Sequence, residues 1–521
     1  ATLTMFFVAI PLIGLVLIGA ISPLLTFTAL FQQKEWRMDR LREHLRREGW
    51  WNQLVGRLRL VFIALYIALY LPSYASVIAS DGGGGAFIIA IQIMVITCIF
   101  LVVFALLSVI QILMRKQRMP IWTSKAVLLV ATSILLHCIV LGIAWGRMPL
   151  DLLSPAPLLV VLQPFFMLLS WILWKPIDVI LKKRVMDKAI HLRSQMQNAT
   201  VIGIAGSVGK TTVKELIAHL LQDLKPIVTP SHVNTEMGVA QWIINNHVKT
   251  QNLASLPMSL LIVEMGAYRK GEIALLCRIA QPTIGVMTAL GSDHLALFGS
   301  EQNIIEANGE LISSLPKDGH AFFYGNNEGC KELAQNAPCP VTIAEAASYV
   351  HPLHGRHNQF NVSLAVAVAK HMDIKEERIA ELLKSLHPQA HTFSVKQERG
   401  VTILDDTYNI SPLSFGAALD WAADRTERPR VLLTSGLQET GSDEMRFVQE
   451  LGAKASMCIE RVIFTDTHGS DIFAKAFGKP VEILGAQTER VQAGSVLLAV
   501  GRMPLSTINH LLPRVAEAPL S

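Results

Sequence analysis

Over the first third of the chain, apolar residues run in five long blocks, roughly 5–31, 60–80, 86–114, 126–146 and 156–174. None contains Asp, Glu, Lys or Arg. Each reaches or approaches the about 20 residues that carry a helix across a hydrocarbon core, so five spanning helices are expected. The prolines of "PLIGLVLIGAISPLL" (11–25) do not argue against this, because neighbouring helices satisfy freed backbone groups. From about residue 193 the pattern changes to short apolar runs alternating with helical periods. Strands are expected at 200–205, 259–264, 283–288, 320–324, 401–405, 430–434, 461–465 and 496–500. Helical patterns lie between many of them, for example at 211–222, 302–314, 358–371 and 442–458. That alternation predicts a mostly parallel sheet with helices on both faces. With a break in "SLHPQAHTF" (385–393), the expected organisation is a membrane domain at 1–192, a central α/β domain at 193–390 and a smaller α/β domain at 391–521.

Composition and charge sharpen the first part. The chain is 51% hydrophobic with a mean hydropathy of +0.39, too apolar for an ordinary soluble enzyme. Lys34, Arg37, Arg40, Arg42, Arg46, Arg47, Arg57 and Arg59 separate the first two blocks, whereas "SDGGGG" (80–85) has no basic residue. Arg115, Lys116, Arg118 and Lys125 follow the third block, Arg147 alone lies between the fourth and fifth, and Lys175, Lys182, Lys183, Arg184 and Lys188 follow the fifth. Basic loops mark the cytoplasmic side, so the N-terminus is expected outside and everything after about 175 in the cytoplasm. The first block has no basic residue before it and four more blocks behind it, which predicts an anchor rather than a cleaved signal. The net charge of +5 then reads as contact with lipid headgroups, not nucleic acid. "QQKEWRMDRLREHLRREGW" (32–50) is expected to be a cytoplasmic amphipathic loop. A transporter is disfavoured, since His137 is the one acidic or basic side chain inside the blocks. The six cysteines form no ligand spacing and are expected as free thiols.

Chemistry is expected beyond the carboxyl ends of the strands. After 201–204 comes Gly206-Ser207-Val208-Gly209-Lys210-Thr211-Thr212 and an immediate helical pattern. Glycines there let backbone N–H groups turn to phosphate oxygens, the lysine meets the outer phosphates, and the threonine hydroxyl suits Mg²⁺. Glu264 ends an otherwise apolar run, and a carboxylate there is costly unless it meets a cation or donors. Asp293 and His294 follow another strand, so Glu264 and His294 are expected near the phosphate loop on a second Mg²⁺. Asn358 and Asn361 share one face of a helix entry, and Asp405 and Asp406 end the strand before "TYNISP". Such an aspartate suits a ribose hydroxyl or caps the turn before Pro412; the residues alone leave both open.

In this order "GIAGSVGKTTVKE", "NTEMGV", "VEMGAYRKGEI", "TALGSDHLALFGS", "GRHNQFN" and "LDDTYNISPLSF" resemble the Mur ligase family, in its D-alanyl-D-alanine-adding branch. "GLQETGSDEMRFVQELG" (436–452) looks like a weaker form of its C-terminal motif. The resemblance implies a phosphate-loop central domain and a Rossmann-like C-terminal domain behind the membrane helices. It implies that ATP phosphorylates a carboxylate and that an amine displaces phosphate from the acyl phosphate. It further implies Lys210 on the transferring phosphoryl group, Thr211 and Glu264 on magnesium, His294 on a second ion, and Asn358 and Asp406 at the nucleoside, Asp406 preferred to Asp405.

The chain departs from the family at four places. Ala307-Asn308-Gly309-Glu310 stands where the family carries a carbamylated lysine, and asparagine cannot form a carbamate. Ala390-His391 replaces a Gly-Arg, and the late Lys-Gly-Ser motif is reduced to Val500-Gly501-Arg502. The five apolar blocks occupy the place of the UDP-sugar-binding domain. The expectation is an amide ligase using ATP and Mg²⁺ on a UDP-linked or lipid-linked cell-wall carboxylate at the cytoplasmic membrane face. A nucleotide-binding membrane scaffold and a polyglutamate or capsule ligase are the alternatives.

Overall fold

The computed structural model describes residues 2–79, 84–114, 117–147, 156–196, 198–252, 259–408, 410–437, 440 and 443–514. Arg115, Lys116, Asn409, most of the 80–85 loop, and positions 438, 439, 441 and 442 of the C-terminal motif lie outside the described residues. The chain separates into two compact units, Ala1–Leu181 and Lys182–Ser521.

The first unit is helical: α1 (Thr2–Gln33), α2 (Met38–Glu48), α3 (Trp50–Leu54), α4 (Arg57–Ala79), α5 (Gly84–Leu113), α6 (Ser124–Arg147), α7 (Ala156–Val161) and α8 (Gln163–Ser194), the last crossing the division between units. Among the described residues, five stretches are long and apolar enough to cross a membrane: Pro11–Gln33, Arg57–Ser76, Ile91–Leu113, Ser124–Ile143 and Gln163–Ser194. Two details differ from expectation. The fifth block does not form one helix over 156–174, because the chain breaks at Leu162 ahead of Pro164. Proline has no N–H to continue the preceding helix and is accepted in the first turn of a new one. The second block begins earlier than expected, and Arg59, placed in a loop by its charge, is buried inside α4. Its guanidinium donates to Ser108 Oγ and Gln111 Oε1, both at 3.1 Å. His137 is likewise buried and hydrogen-bonded, with Nδ1 2.6 Å from Gln163 Oε1. The amphipathic stretch forms α2, which buries Leu41 and Leu45 against Leu24, Phe27, Leu30 and Phe31 of α1.

The second unit holds two sheets. The first is built from β1 (Ala199–Ala205), β2 (Ile227–Val228), β3 (Ser259–Glu264), β4 (Ile284–Met287), β5 (His320–Tyr324) and β6 (Val341–Ala344). All its strands are parallel, in the order β2-β3-β1-β4-β5-β6. Its helices are α9 (Lys210–Leu220), α10 (Glu236–Asn252), α11 (Glu272–Ala280), α12 (Leu295–Phe298), α13 (Glu301–Ser313), α14 (Glu328–Gln335), α15 (Arg356–His371) and α16 (Glu376–Lys384). Alternate residues of β1 enter two cores, Val201 and Ala205 on one face, Ile202 and Ile204 on the other. Burial on both faces is why these strands read as unbroken apolar runs.

The second sheet contains β7 (Ser394–Glu398), β8 (Val401–Asp406), β9 (Arg430–Thr434), β10 (Arg461–Phe464), β11 (Glu482–Ile483) and β12 (Val496–Val500). Its order is β11-β10-β9-β12-β8-β7, with β7 antiparallel to β8 and the other pairs parallel. Helices α17 (Pro412–Ala423), α18 (Glu444–Ser456), α19 (Ser470–Phe477) and α20 (Leu505–Leu511) complete it. The eight expected strands are the eight interior strands. The four not expected, β2, β6, β7 and β11, are the four sheet edges. Edge strands are half-wet, so "SVKQE" and "EI" carry little apolar signal, while "IV" and "VTIA" are largely apolar but only two and four residues long.

Candidate active site

Strand β1 lies between β3 and β4, where the strand order reverses, and this crevice is where ligands bind in open parallel sheets. The loop after β1 is fixed by its surroundings. Gly206 has φ +135°, and a Cβ there would lie 2.2 Å from Thr288 Oγ1. Gly209 has φ +89° and would set a Cβ 3.0 Å from Asn361 Oδ1. The loop's first amides are already used: Gly206 N–H donates to Asn308 Oδ1 at 2.9 Å, and those of Ser207 and Val208 to Ala289 O at 3.0 and 3.1 Å. Ser207 Oγ bonds to both the N–H and the carbonyl of Gly291. The amides from Gly209 to Thr212 lie at the positive end of α9, the part of such a loop that can offer N–H groups to an anion. Lys210 Nζ rests on the loop's own carbonyls, 2.7 Å from Gly206 O and 2.9 Å from Ser207 O.

Glu264, at the end of β3, is paired in register with Ile204 of β1 and buried. Thr211 Oγ1 lies 3.1 and 3.2 Å from its two carboxylate oxygens. From the other side Lys214 Nζ comes within 3.2 Å of Oε2. Sequence reasoning missed this lysine. Its signal was there, a lone cation one turn beyond Thr211 between Val213 and Leu216, both buried.

His294 has φ +55° and begins α12; its Nε2 is 3.7 Å from Asp293 Oδ2 and its ring 4.7 Å from that of Tyr268. Among the described residues no three His, Cys, Asp or Glu side chains converge in a metal-holding group. The hard oxygens that do meet, Thr211 Oγ1 and the Glu264 carboxylate, fit one Mg²⁺ beside a phosphate loop. Asn308 is buried and used up: its Oδ1 holds Gly206 and its Nδ2 donates to Ile304 O at 2.8 Å.

A cleft joins this loop to the second sheet, with Gly209, Thr212, His357, Asn358, Phe393 and Asp406 among its lining residues. Asn358 is buried; its Oδ1 accepts from Asn361 Nδ2 at 3.0 Å and its Nδ2 donates to His354 O. Of the aspartate pair, Asp405 is engaged by His391 Nδ1 at 3.0 Å and Thr407 Oγ1 at 2.6 Å. His391, in the place of the family's arginine, is thus turned to Asp405. Asp406 accepts from Phe393 N–H with Oδ1, and its buried Oδ2 has no partner among the described residues. Burial, reinforced by the neighbouring Asp405 and opposed by the Phe393 N–H, pushes the Asp406 carboxyl up to about 7. Ser411 caps α17, so neither aspartate is needed as a helix cap. His357 is a second addition to the expected residues. Burial pushes its imidazole down to about 4, and its Nδ1 is buried without a partner among the described residues.

The Mur ligase middle domain matches residues 204–349. The UDP-N-acetylmuramoyl-tripeptide–D-alanyl-D-alanine ligase of Synechocystis sp. is 30% identical over 338 residues, which cover 61% of this chain and 72% of the relative. The chain belongs to the Mur ligase family. The ligase of the same name from Bacillus subtilis is 27% identical over 363 residues, covering 62% of this Mur ligase and 77% of its own length. The chain is similar in fold to MurF from Thermotoga maritima in complex with ADP, with a TM-score of 0.54 at 22% identity, covering 63% of this chain and 82% of that one. MurF from Acinetobacter baumannii gives 0.56 at 20% identity, covering 63% and 79%. As a Mur ligase this chain is an ATP-dependent enzyme that joins an acid to an amine.

Proposed function

We propose that this Mur ligase adds a D-alanyl-D-alanine-like amine to the carboxylate of a cell-wall precursor at the cytoplasmic face of the membrane. The observation that carries the chemistry is the set gathered at the switch point of the first sheet: Lys210 on the loop, with Thr211 bonded to Glu264 beside it. The amine and acceptor rest on the names of the relatives, whose matches cover 61% and 62% of this chain.

In the reaction a carboxylate oxygen of the acceptor attacks the γ-phosphorus of ATP, the bond to the bridging oxygen breaks, and ADP leaves. The amine nitrogen then attacks the acyl carbon, and the tetrahedral intermediate collapses with loss of phosphate and a proton. The protein's part is positioning and charge neutralisation. The amides from Gly209 to Thr212 receive phosphate oxygens. Lys210 exchanges its two loop carbonyls for the transferring group. Mg²⁺ held by Thr211 and Glu264 would polarise the phosphates, and His294, braced by Asp293 and Tyr268, is the side chain assigned to a second ion. Asp406 Oδ2 suits a ribose hydroxyl, Asn358 lines the same nucleoside wall, and the neutral imidazole of His357 offers the base an acceptor nitrogen. The basic loops support an outside N-terminus and a cytoplasmic ligase. The helical unit then brings a lipid-linked or UDP-linked acceptor to the bilayer.

Full-length protein in detergent should release ADP when given a muramyl-tripeptide precursor and D-alanyl-D-alanine together, and not with either alone. Bicarbonate should leave the rate unchanged, because Asn308 cannot be carbamylated and is bonded to Gly206. Turnover with glutamate in place of the dipeptide would point to a polyglutamate-type ligase. Absence of acceptor-dependent ADP would leave a nucleotide-binding scaffold.

Nucleotide binding should depend on pH through Asp406. The fold raises this carboxyl from its ordinary 3.8 to about 7, so it favours the protonated form. That contribution to stability is complete below pH about 4 and lost as pH rises through about 7. A ribose hydroxyl needs the carboxylate, so the charged form is the one that accepts it. ADP affinity measured by calorimetry should therefore weaken as pH falls below about 7, by up to about tenfold per unit. Asp406→Asn should bind more weakly and without this pH dependence.

A further inference from the structure

We propose that Lys214 is a positioning residue that neutralises Glu264 in the nucleotide-free enzyme, so that a divalent cation enters this site only together with phosphates. The proposal rests on reading Thr211 and Glu264 as the magnesium ligands. Lys214 is 0% exposed. An ammonium group is not kept away from water unless an anion accompanies it. Its Nζ lies 3.2 Å from Glu264 Oε2 and 3.2 Å from Glu215 Oε1. On α9, Thr211 and Lys214 stand one turn apart and hold the Glu264 carboxylate between them. One fixes its direction; the other cancels its charge.

The charge count gives the consequence. Glu264 and Lys214 sum to zero, Thr211 is neutral, and Asn308, where the family places an anionic ligand, is neutral and bonded to Gly206. A hard divalent ion gathers several oxygens and favours negative ones, so this set alone attracts it weakly. The nucleotide's phosphates bring the missing negative charge. When Glu264 turns to the metal, Glu215, 43% exposed at the next position, remains as a second anion for the ammonium. Lys214 thus orders the assembly of the site without touching the reacting atoms.

Mn²⁺ is the probe, with the free ion counted by paramagnetic resonance on full-length protein in detergent, with and without ADP. Wild-type protein should bind Mn²⁺ at least tenfold more weakly without ADP than with it. Lys214→Met should raise the nucleotide-free affinity at least tenfold. It should also lower kcat at least tenfold, with a smaller change in KM for ATP. Adding Glu264→Gln to Lys214→Met should abolish the gained affinity, locating the ion on Glu264. Lys214→Arg keeps the charge and should keep the wild-type Mn²⁺ affinity. Tight nucleotide-free binding by the wild type, a measurement that needs no variant to fold, overturns the proposal. So does a folded Lys214→Met with wild-type Mn²⁺ affinity. The Mn²⁺ measurements require no turnover, so a failed search for the acceptor leaves them standing.

Discussion

Lys210→Ala should lower acceptor-dependent ADP formation by about 10²–10³-fold, the range seen when one preorganised donor is removed from a developing charge. Lys210 Nζ already sits at the loop that would receive the phosphates, 2.7 and 2.9 Å from two backbone carbonyls. In phosphoryl transfer the charge on the moving group is spread over its outer oxygens, and the protein acts mainly by matching it. The loss should fall on kcat more than on nucleotide affinity, because the amides from Gly209 to Thr212 remain in place. Lys210→Arg should not restore the rate, since a planar fork cannot replace a compact ammonium in a loop this tight. Stability should change by no more than about 1 kcal/mol, because the two carbonyls sit at a partly buried rim that water can reach. Steady-state kinetics, ADP calorimetry and thermal unfolding separate the three effects. A wild-type kcat in this variant would remove the loop from the mechanism.

Gly206→Ala should be the most damaging small substitution in the second unit. The backbone at φ +135° disfavours any side chain, and the new Cβ would stand 2.2 Å from Thr288 Oγ1 and 3.0 Å from Thr288 O. Strain of about 1–3 kcal/mol and overpacking of about 1–3 kcal/mol add to about 2–6 kcal/mol. Any relief moves the loop off Asn308 and Ala289, to which its first three amides are bonded. The expected result is a thermal midpoint lower by several degrees and an ADP affinity at least tenfold weaker. Gly478→Ala is the control. It also has a positive φ, +77°, but nothing lies within 4 Å of its Cβ, so its cost is the backbone strain alone. Equal losses in the two variants would refute the steric argument.

The sequence was legible in different degrees at different places. The interior strands β1, β3, β4, β5, β8, β9, β10 and β12 were readable because burial on both faces makes their central residues apolar. The edges were not, since β7 and β11 are mostly polar and β2 and β6 are only two and four residues long. Glu264 was readable as a charge at the end of an apolar strand, and Asp406 as one of two aspartates. The residues alone left the choice open and the resemblance preferred Asp406; the structure turns His391 and Thr407 onto Asp405 and leaves a buried oxygen of Asp406 without a partner among the described residues. Asn308 read as the loss of a ligand. The structure gives it a task of its own, holding the first amide of the phosphate loop. Arg59 read as the end of a loop, because hydropathy stops at a charge. In three dimensions Ser108 and Gln111 supply acceptors that let it stay inside.

What the sequence determined by itself is local: block lengths that match a bilayer, strand and helix periods, and glycines spaced for a phosphate loop. Each follows from how neighbouring residues along the chain share a surface or a turn. What only the tertiary structure decided is partnership. Gly206 meets Asn308 across 102 positions, Thr211 meets Glu264 across 53, and Lys214 is neutralised from the same distant strand. A buried polar group is stable only with a partner, and the partner's place in the sequence is set by the order of strands in the sheet. The reversal at β1 brings Glu264 and Asn308 to one loop.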